Sequence, residues 1–452
     1  MASESDNILS PLDGRYSKFT KELKECMSDY AYYINRIIVE NTYLVTILEK
    51  LNIPFDENKM ANVLRELEEN PVTITNIKEL EKTTNHDVKA ITDYITLVLK
   101  KNDFPPEVYN KVHYCLTSQD VNSIGQMIGF RKGVHIITNK VYNLLDTLKR
   151  LAKNCDMPII SKTHGQPAVP TNLMKEIYIY IHRLQRIITD LCLKTIPHLT
   201  VKFGGAVGNF NAHYFTHPEI DWIAFGNEFA ETFGFLRSEF TTQVDDYDSL
   251  STCMSLIKKI ATIALSLEQN LWLYISDGYF KQTVIKNEVG SSTMPHKVNP
   301  IQFENAEGNL LLGMQMADVI IVDLPMSRYQ RILRDSTLLR SVGNIFGYIC
   351  VGLDQICEGV SRLSPNNEII QKDLDENCIV ILEGIQCYLK MLGFDDPYTI
   401  TKELSRGKQL SKDDIDKFID SLDINQEHKT KLKGLTVRNY VGQFPHLTLL
   451  DI

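Results

Sequence analysis

Residues 249–276 read SLSTCMSLIKKIATIALSLEQNLWLYIS. Wound as a helix, this stretch is apolar around much of its circumference and carries few charges. A helix wet along one side would not need that, so it is expected to lie among other helices. Outward from it, the apolar period is helical almost throughout. Residues 30–51 place Tyr30, Tyr33, Ile34, Ile37, Ile38, Tyr43, Leu44, Ile47, Leu48 and Leu51 at three- and four-residue spacings. Residues 134–151 repeat the pattern, a further stretch runs from Pro170 to Pro197, and another from about 337 to 360. At about 1.5 Å per residue the longer ones are rods of roughly 40 Å. Long rods with short connections favour an all-α bundle. Two arrangements stay open: copies of the chain sharing a bundle through apolar stripes, or one large monomeric helical domain.

The chain has 452 residues, 43% of them apolar, enough for two to three domains with a large core. Breaks at Pro105-Pro106 and at Ser364–Asn367 suggest segments 1–111, 112–363 and 364–452. Gly and Pro are sparse (23 and 16), which leans away from turn-rich all-β folds. A diffuse net charge of −9 argues against general binding to nucleic acid or a membrane surface. Nine scattered cysteines without a C-x-x-C pair read as reduced thiols in an intracellular, cytoplasmic protein. The N-terminus has neither a basic leader nor an apolar core, so no signal peptide is expected. No apolar run approaches the roughly 18–20 residues of a membrane span. The best, Leu267–Ile275, contains Glu268, Gln269 and Asn270, so a soluble protein is expected.

Chemistry concentrates in a few places. Residues 290–300, GSSTMPHKVNP, cannot form a regular helix, and hold many functional groups between two helical stretches. Residues 161–167, SKTHGQP, place His164 on irregular backbone, a candidate proton donor or acceptor. Residues 83–89, TTNHDVK, and 117–120, TSQD, offer polar groups at potential helix starts, where capping is the plain alternative to a functional role. Arg328, Arg331, Arg334 and Arg340 gather four guanidinium groups within thirteen residues, suited either to an anionic small molecule or to pairing with acids elsewhere. The Gly-rich run 203–209 lacks a Walker lysine and a βαβ context, His213 and His217 lack a third metal ligand, and no G-x-S-x-G elbow is present.

The 290–300 loop resembles the signature of the fumarase/aspartase superfamily. Residues 10–16 (SPLDGRY), 82–89 (KTTNHDVK) and the continuation through Phe303-Glu304-Asn305 narrow the resemblance to the bacterial-type adenylosuccinate lyase family. It covers the chain to about residue 345 and is weak over the last hundred residues. It implies an all-helical subunit of three domains and a homotetramer around a shared helical bundle, with active sites assembled from three subunits. It also implies cleavage of adenylosuccinate to AMP and fumarate, and of SAICAR to AICAR and fumarate, with no metal and no organic cofactor. Other fumarate-releasing lyases of the superfamily, or a catalytically silent relative, are the alternatives.

Elimination of this kind needs a base at carbon, cations and donors for the carboxylates, and an acid at the leaving nitrogen. By resemblance Ser291 is the base and His164 the acid. Lys297 and Asn299 would hold succinyl carboxylates, as would Thr117 and Ser118. Arg15 and Tyr16 would contact the nucleotide, and Asn85, His86 and Asp87 would line the site. Gln243 would orient substrate, while Asn305, Arg331, Ser336, Thr337 and Arg340 would bind the remaining polar and anionic groups. Gln119 and Gln302 stand where the family commonly has Glu and Asp, which is expected to alter affinity rather than chemistry.

Overall fold

A computed structural model describes residues 8–283, 294, 297–405 and 410–445. The chain opens with α1 (Ser17–Met27), α2 (Asp29–Lys50), α3 (Glu57–Glu69), α4 (Val72–Thr84), α5 (Asp87–Lys101) and a single turn α6 (Pro106–Tyr109). A 35-residue rod, α7 (Ser118–Ala152), follows, then a hairpin of β1 (Pro158–Thr163) and β2 (Gln166–Asn172), and α8 (Leu173–Thr189). Next come β3 (Thr200–Val201), α9 (Asn211–Thr216), α10 (Trp222–Thr232), β4 (Leu236–Arg237) and the long α11 (Asp248–Ser276). The last part holds β5 (Phe280–Gln282), α12 (Ile301–Asp318), α13 (Arg334–Leu339), α14 (Val342–Ser361), β6 (Leu363–Pro365), α15 (Asn367–Glu376), α16 (Leu382–Met391), α17 (Pro397–Ser405), α18 (Lys412–Ser421) and α19 (Gln426–Lys433).

The fold is thus mostly helical, and among the described residues strands occur in two-residue to seven-residue pairs: β1 with β2 and β5 with β6 antiparallel, β3 with β4 parallel. The expected helix from Pro170 to Pro197 is corrected: Pro170 lies in β2, opposite Ile160, and the helix starts at Leu173. Its end widens into a π-helical turn at Asp190–Thr195 before Pro197 stops it.

The chain divides into two compact units. The first comprises Met1–Tyr142, Leu184–Leu265 and Asn305–Asp354, the second Asn143–Arg183, Ser266–Glu304 and Gln355–Ile452. In the first, apolar residues of α2 to α5, among them Ile37, Leu44, Leu48, Ile77, Ile91 and Leu99, form one buried cluster. Beside Tyr43 a second cluster of rings gathers Phe203, Phe210, Trp222, Phe225 and Phe229. In the second, Tyr274 stacks on Tyr279 at 6.0 Å, and the Tyr279 hydroxyl donates to Asp373 of α15.

Glycines set how closely helices approach in the first unit. A Cβ on Gly129 of α7 would lie 2.6 Å from the Cys26 carbonyl oxygen, so the α1–α2 elbow rests directly on α7 backbone. All nine cysteines are free thiols. Helix α11 is, by length and composition, apolar enough to cross a membrane, which corrects the expectation that no segment qualifies. A search for uninterrupted runs stops at its scattered charges, and half of its most apolar window is buried within the chain.

Candidate functional site

In the first unit, α4 ends and α5 begins within three residues. Asn85 closes α4 in the left-handed conformation (φ 48°), and the His86 ring Nδ1 accepts the Lys89 N–H at 3.2 Å, capping α5. Capping here is therefore done by an imidazole rather than by the hydroxyls of Thr83 and Thr84. Asn85 and His86 are exposed, while Asp87 is half-buried. Arg36 of α2, itself almost fully buried, donates to the Asp87 carboxylate at 2.8 Å and to Asn122 at 2.8 Å, and stacks on Tyr32 at 3.7 Å. Arg340 reaches the same carboxylate at 3.3 Å and Asp29 at 3.6 Å. Burial pushes the Asp87 carboxyl up, but Arg36, the Val88 N–H and Arg340 outweigh it and hold the group below its usual range.

The 113–118 segment is held in an unusual shape. His113 and Cys115 both have positive φ (56° and 62°) without being glycine. His113 Nδ1 lies 2.6 Å from the buried Glu40 carboxylate; burial lowers the His113 pKa, Glu40 raises it, and the net shift is upward. Thr117 and Ser118, half-buried, follow at the start of α7. There the Asp120 carboxylate reaches back to accept the Thr117 N–H at 2.8 Å. The Gly-rich run supplies backbone donors to that same carboxylate, from Gly204 at 2.8 Å and Gly205 at 3.1 Å.

Tyr16 stands just before α1, and its hydroxyl accepts from the Asn305 side-chain nitrogen at 3.1 Å, so two residues 289 positions apart meet. Arg15 is exposed. The Gln243 N–H donates to the Gln330 carbonyl at 3.2 Å. Arg331 lies 3.6 Å from the buried Asp335, whose other oxygen accepts from Tyr247 at 3.2 Å. Ser336 is half-buried, with its N–H on Asp335, and Thr337 is exposed. The first unit therefore brings together Tyr16 with Asn305, and Asp87 with Arg340.

In the second unit, His164 does not sit on irregular backbone. It occupies the first of two turn positions closing the β1–β2 hairpin, with His164 at φ 53° and Gly165 at φ 71°, between the paired Thr163 and Gln166. Positive φ at both central positions is the hairpin turn whose twist matches the strands. The imidazole is exposed at the tip. Lys297 is exposed, and its N–H donates to the Met294 carbonyl at 3.1 Å. The Asn299 side-chain oxygen is buried and, among the described residues, has no partner. Ser291 lies outside the described residues.

Sequence reasoning missed Arg36, Asp29, Asp120 and Lys202. Arg36 was findable: a cation between Tyr33 and Ile37 on an apolar face demands a buried partner. Asp120 stands three residues after Thr117, the spacing of a capping box. Lys202 carries no local signal.

Comparison with solved structures defines the fold class. The chain superposes on a fumarate lyase from Mesorhizobium sp. BNC1 with a TM-score of 0.75 at 16% identity, covering 94% of this chain and 96% of that one. A 3-carboxy-cis,cis-muconate lactonizing enzyme from Pseudomonas putida gives 0.74 at 19% identity, over 94% and 95%. Residues 14–313 match the lyase family, and residues 327–441 match the adenylosuccinate lyase C-terminal family, including the region where the sequence resemblance is weak. An adenylosuccinate lyase of Dictyostelium discoideum is 39% identical over 454 residues, 97% of each chain. One of Escherichia coli (strain K12) is 34% identical over 458 residues, 100% of this chain and 99% of that one. The chain belongs to the adenylosuccinate lyase family of the fumarase/aspartase superfamily.

Proposed function

We propose that the chain cleaves adenylosuccinate to AMP and fumarate, and SAICAR to AICAR and fumarate, as a carbon–nitrogen lyase of purine nucleotide biosynthesis. The observation that carries this reading is identity of 34–39% to adenylosuccinate lyases over nearly the whole chain. Ser291 takes the proton from the carbon next to a succinyl carboxylate, and the electron pair left behind spreads onto that carboxylate. The carbon–nitrogen bond then breaks with that pair forming the fumarate double bond, and His164 supplies a proton to the departing nitrogen. An unassisted serine is far too weak an acid for this, so Lys297 and loop N–H groups lower the cost of its alkoxide.

Lys297, Asn299, Thr117 and Ser118 hold the succinyl carboxylates in this reading. Arg15 and Tyr16 contact the nucleotide, Asn85, His86 and Asp87 line the site, Gln243 orients substrate, and Asn305, Arg331, Ser336, Thr337 and Arg340 bind the remaining polar and anionic groups. Exposed His164 and Lys297 support it, since both are accessible to a small molecule. The reading includes a homotetramer around a shared helical bundle, subunits organised as 1–111, 112–363 and 364–452, and a cytoplasmic enzyme. Exposed apolar side chains such as Leu273 on α11, Leu312 on α12 and Val322 support shared packing, and nine free thiols support a reducing compartment.

The test is to incubate pure protein with adenylosuccinate, SAICAR, argininosuccinate and malate and to measure fumarate. Release from the two purine substrates alone is expected. Release from neither would refute the assignment, and release from malate or argininosuccinate instead would reassign the chain within the superfamily.

A further inference from the structure

Beneath Thr117 and Ser118 lies a buried ion pair. Asp120 and Lys202 are both fully excluded from solvent, 2.7 Å apart. The Asp120 oxygens also accept from the N–H groups of Thr117, Gly204 and Gly205. The Lys202 ammonium donates in addition to the Gly205 carbonyl, and its backbone N–H donates to the Ser123 hydroxyl at 2.9 Å. The pair thus ties the first turn of α7 to the glycine turn that follows β3.

A buried pair of this kind is a poor device for stability alone, because apolar side chains of similar volume often do as well or better. Its charge balance has a use. Asp120 without Lys202 would set a negative charge one turn from hydroxyls that receive an anion. The two imidazoles nearby do not take the place of Lys202. Burial holds the His213 imidazole down at about 4, so it is uncharged near neutral pH, and His113 is engaged with Glu40.

We propose that Asp120 and Lys202 are positioning residues for the elimination: a buried, net-neutral prop that fixes Thr117 and Ser118 where they take a succinyl carboxylate. The proposal rests on the carboxylate role given to those two residues above. It predicts a selective effect, because fumarate carries the succinyl carboxylates and AMP does not.

The test measures inhibition constants for fumarate and AMP, with KM and kcat for adenylosuccinate, in the parent enzyme and three variants. Lys202→Met leaves Asp120 uncompensated and is expected to raise the fumarate Ki and the adenylosuccinate KM about tenfold, while the AMP Ki changes less than about twofold. Asp120→Asn with Lys202→Met restores neutrality and keeps an acceptor for the Thr117 N–H while giving up the one for Gly204 and Gly205, so the fumarate Ki falls at least about threefold below that of Lys202→Met. An equal rise for fumarate and AMP in Lys202→Met, or none for either, would overturn the proposal. Where Lys202→Met does not fold, a tenfold rise of the fumarate Ki in the double variant overturns it instead. Ser118→Ala is expected to weaken fumarate selectively; an unchanged fumarate Ki there would overturn the carboxylate reading itself, and the prop with it.

Discussion

Replacing Gly129 by alanine tests how the α1–α2 elbow is seated on α7. The new Cβ would stand 2.6 Å from the Cys26 carbonyl oxygen, about 0.8 Å inside ordinary contact, and 3.4 Å from the Asn35 side-chain nitrogen. The obstacle is backbone at the end of α1, so relief requires moving the elbow rather than turning a side chain. Overpacking of this sort costs about 1–3 kcal/mol, and a backbone obstacle places it toward the upper end. Alanine returns about 1 kcal/mol through helix propensity, leaving a net loss of about 2 kcal/mol. Gly125, one turn earlier on the same helix, is the internal control: a Cβ there meets its nearest atoms at 3.5 Å. Gly125→Ala should therefore gain up to about 1 kcal/mol. Scanning calorimetry at two scan rates should place Gly129→Ala below the parent and Gly125→Ala above it, several degrees apart. Because Asp29, three residues beyond Cys26, pairs with Arg340, Gly129→Ala should also raise KM more than it lowers kcat. Tm shifts of the same sign for both alanines would refute the argument, since it rests on the difference between 2.6 and 3.5 Å.

Two further outcomes are expected. Asp245 is buried, and burial, with Asp246 beside it, raises its pKa to about 7 against the Ser238 hydroxyl that donates to it at 3.0 Å. Between the ordinary carboxyl value and 7 the folded state keeps a proton that the unfolded chain releases, so stability falls as pH rises through that window. Asp245→Asn should raise Tm at pH 8 and leave it nearly unchanged at pH 4; an equal shift at both would refute the assignment. Mixing inactive Ser291→Ala and His164→Ala proteins should restore partial fumarate release if neighbouring subunits supply the two residues; no recovery after verified subunit exchange would count against a shared site.

The long helices were legible because their apolar period is strong: α2 and the 249–276 stretch appear within a residue or two of where the spacing puts them. The β1–β2 hairpin was not, for a physical reason. Pro167 and Pro170 argue against strands, yet a two-stranded ladder has free edges on which a residue lacking N–H does no harm. His-Gly is also a weak hairpin signal beside Asn-Gly, although histidine tolerates the left-handed conformation better than most side chains. Helix starts were placed correctly within 83–89 and 117–120, but the capping atoms were not named. Hydroxyls are the statistical choice, but His86 accepts the Lys89 N–H and Asp120 accepts the Thr117 N–H. Both contacts span three residues and were open to a local reading, whereas the Gly204 and Gly205 donors to Asp120 and the arginines on Asp87 come from distant sequence, which no local reading supplies.

The arginine cluster shows how burial sorts residues that look equivalent in sequence. Arg334 donates to the Asp323 and Met326 carbonyls at 2.8 and 2.7 Å, which closes the loop between α12 and α13 and leaves it no charge-pairing task. Arg331 faces Asp335, a carboxylate fixed by Tyr247 and by the Ser336 N–H, so its guanidinium is oriented before any ligand arrives. Arg340 differs from both. Its contacts to Asp29 and Asp87 are long, at 3.6 and 3.3 Å, and half its side chain is in water. Exposed pairs of that kind are worth about 0–1 kcal/mol, so in the anion-binding role proposed for Arg340 a phosphate or carboxylate would displace Asp29 at little cost. Asp87 stays with Arg36 at 2.8 Å, which keeps its charge satisfied when Arg340 turns away. Of these three arginines, Arg334 is spent on carbonyls, Arg331 is held by a buried carboxylate, and Arg340 is held most loosely.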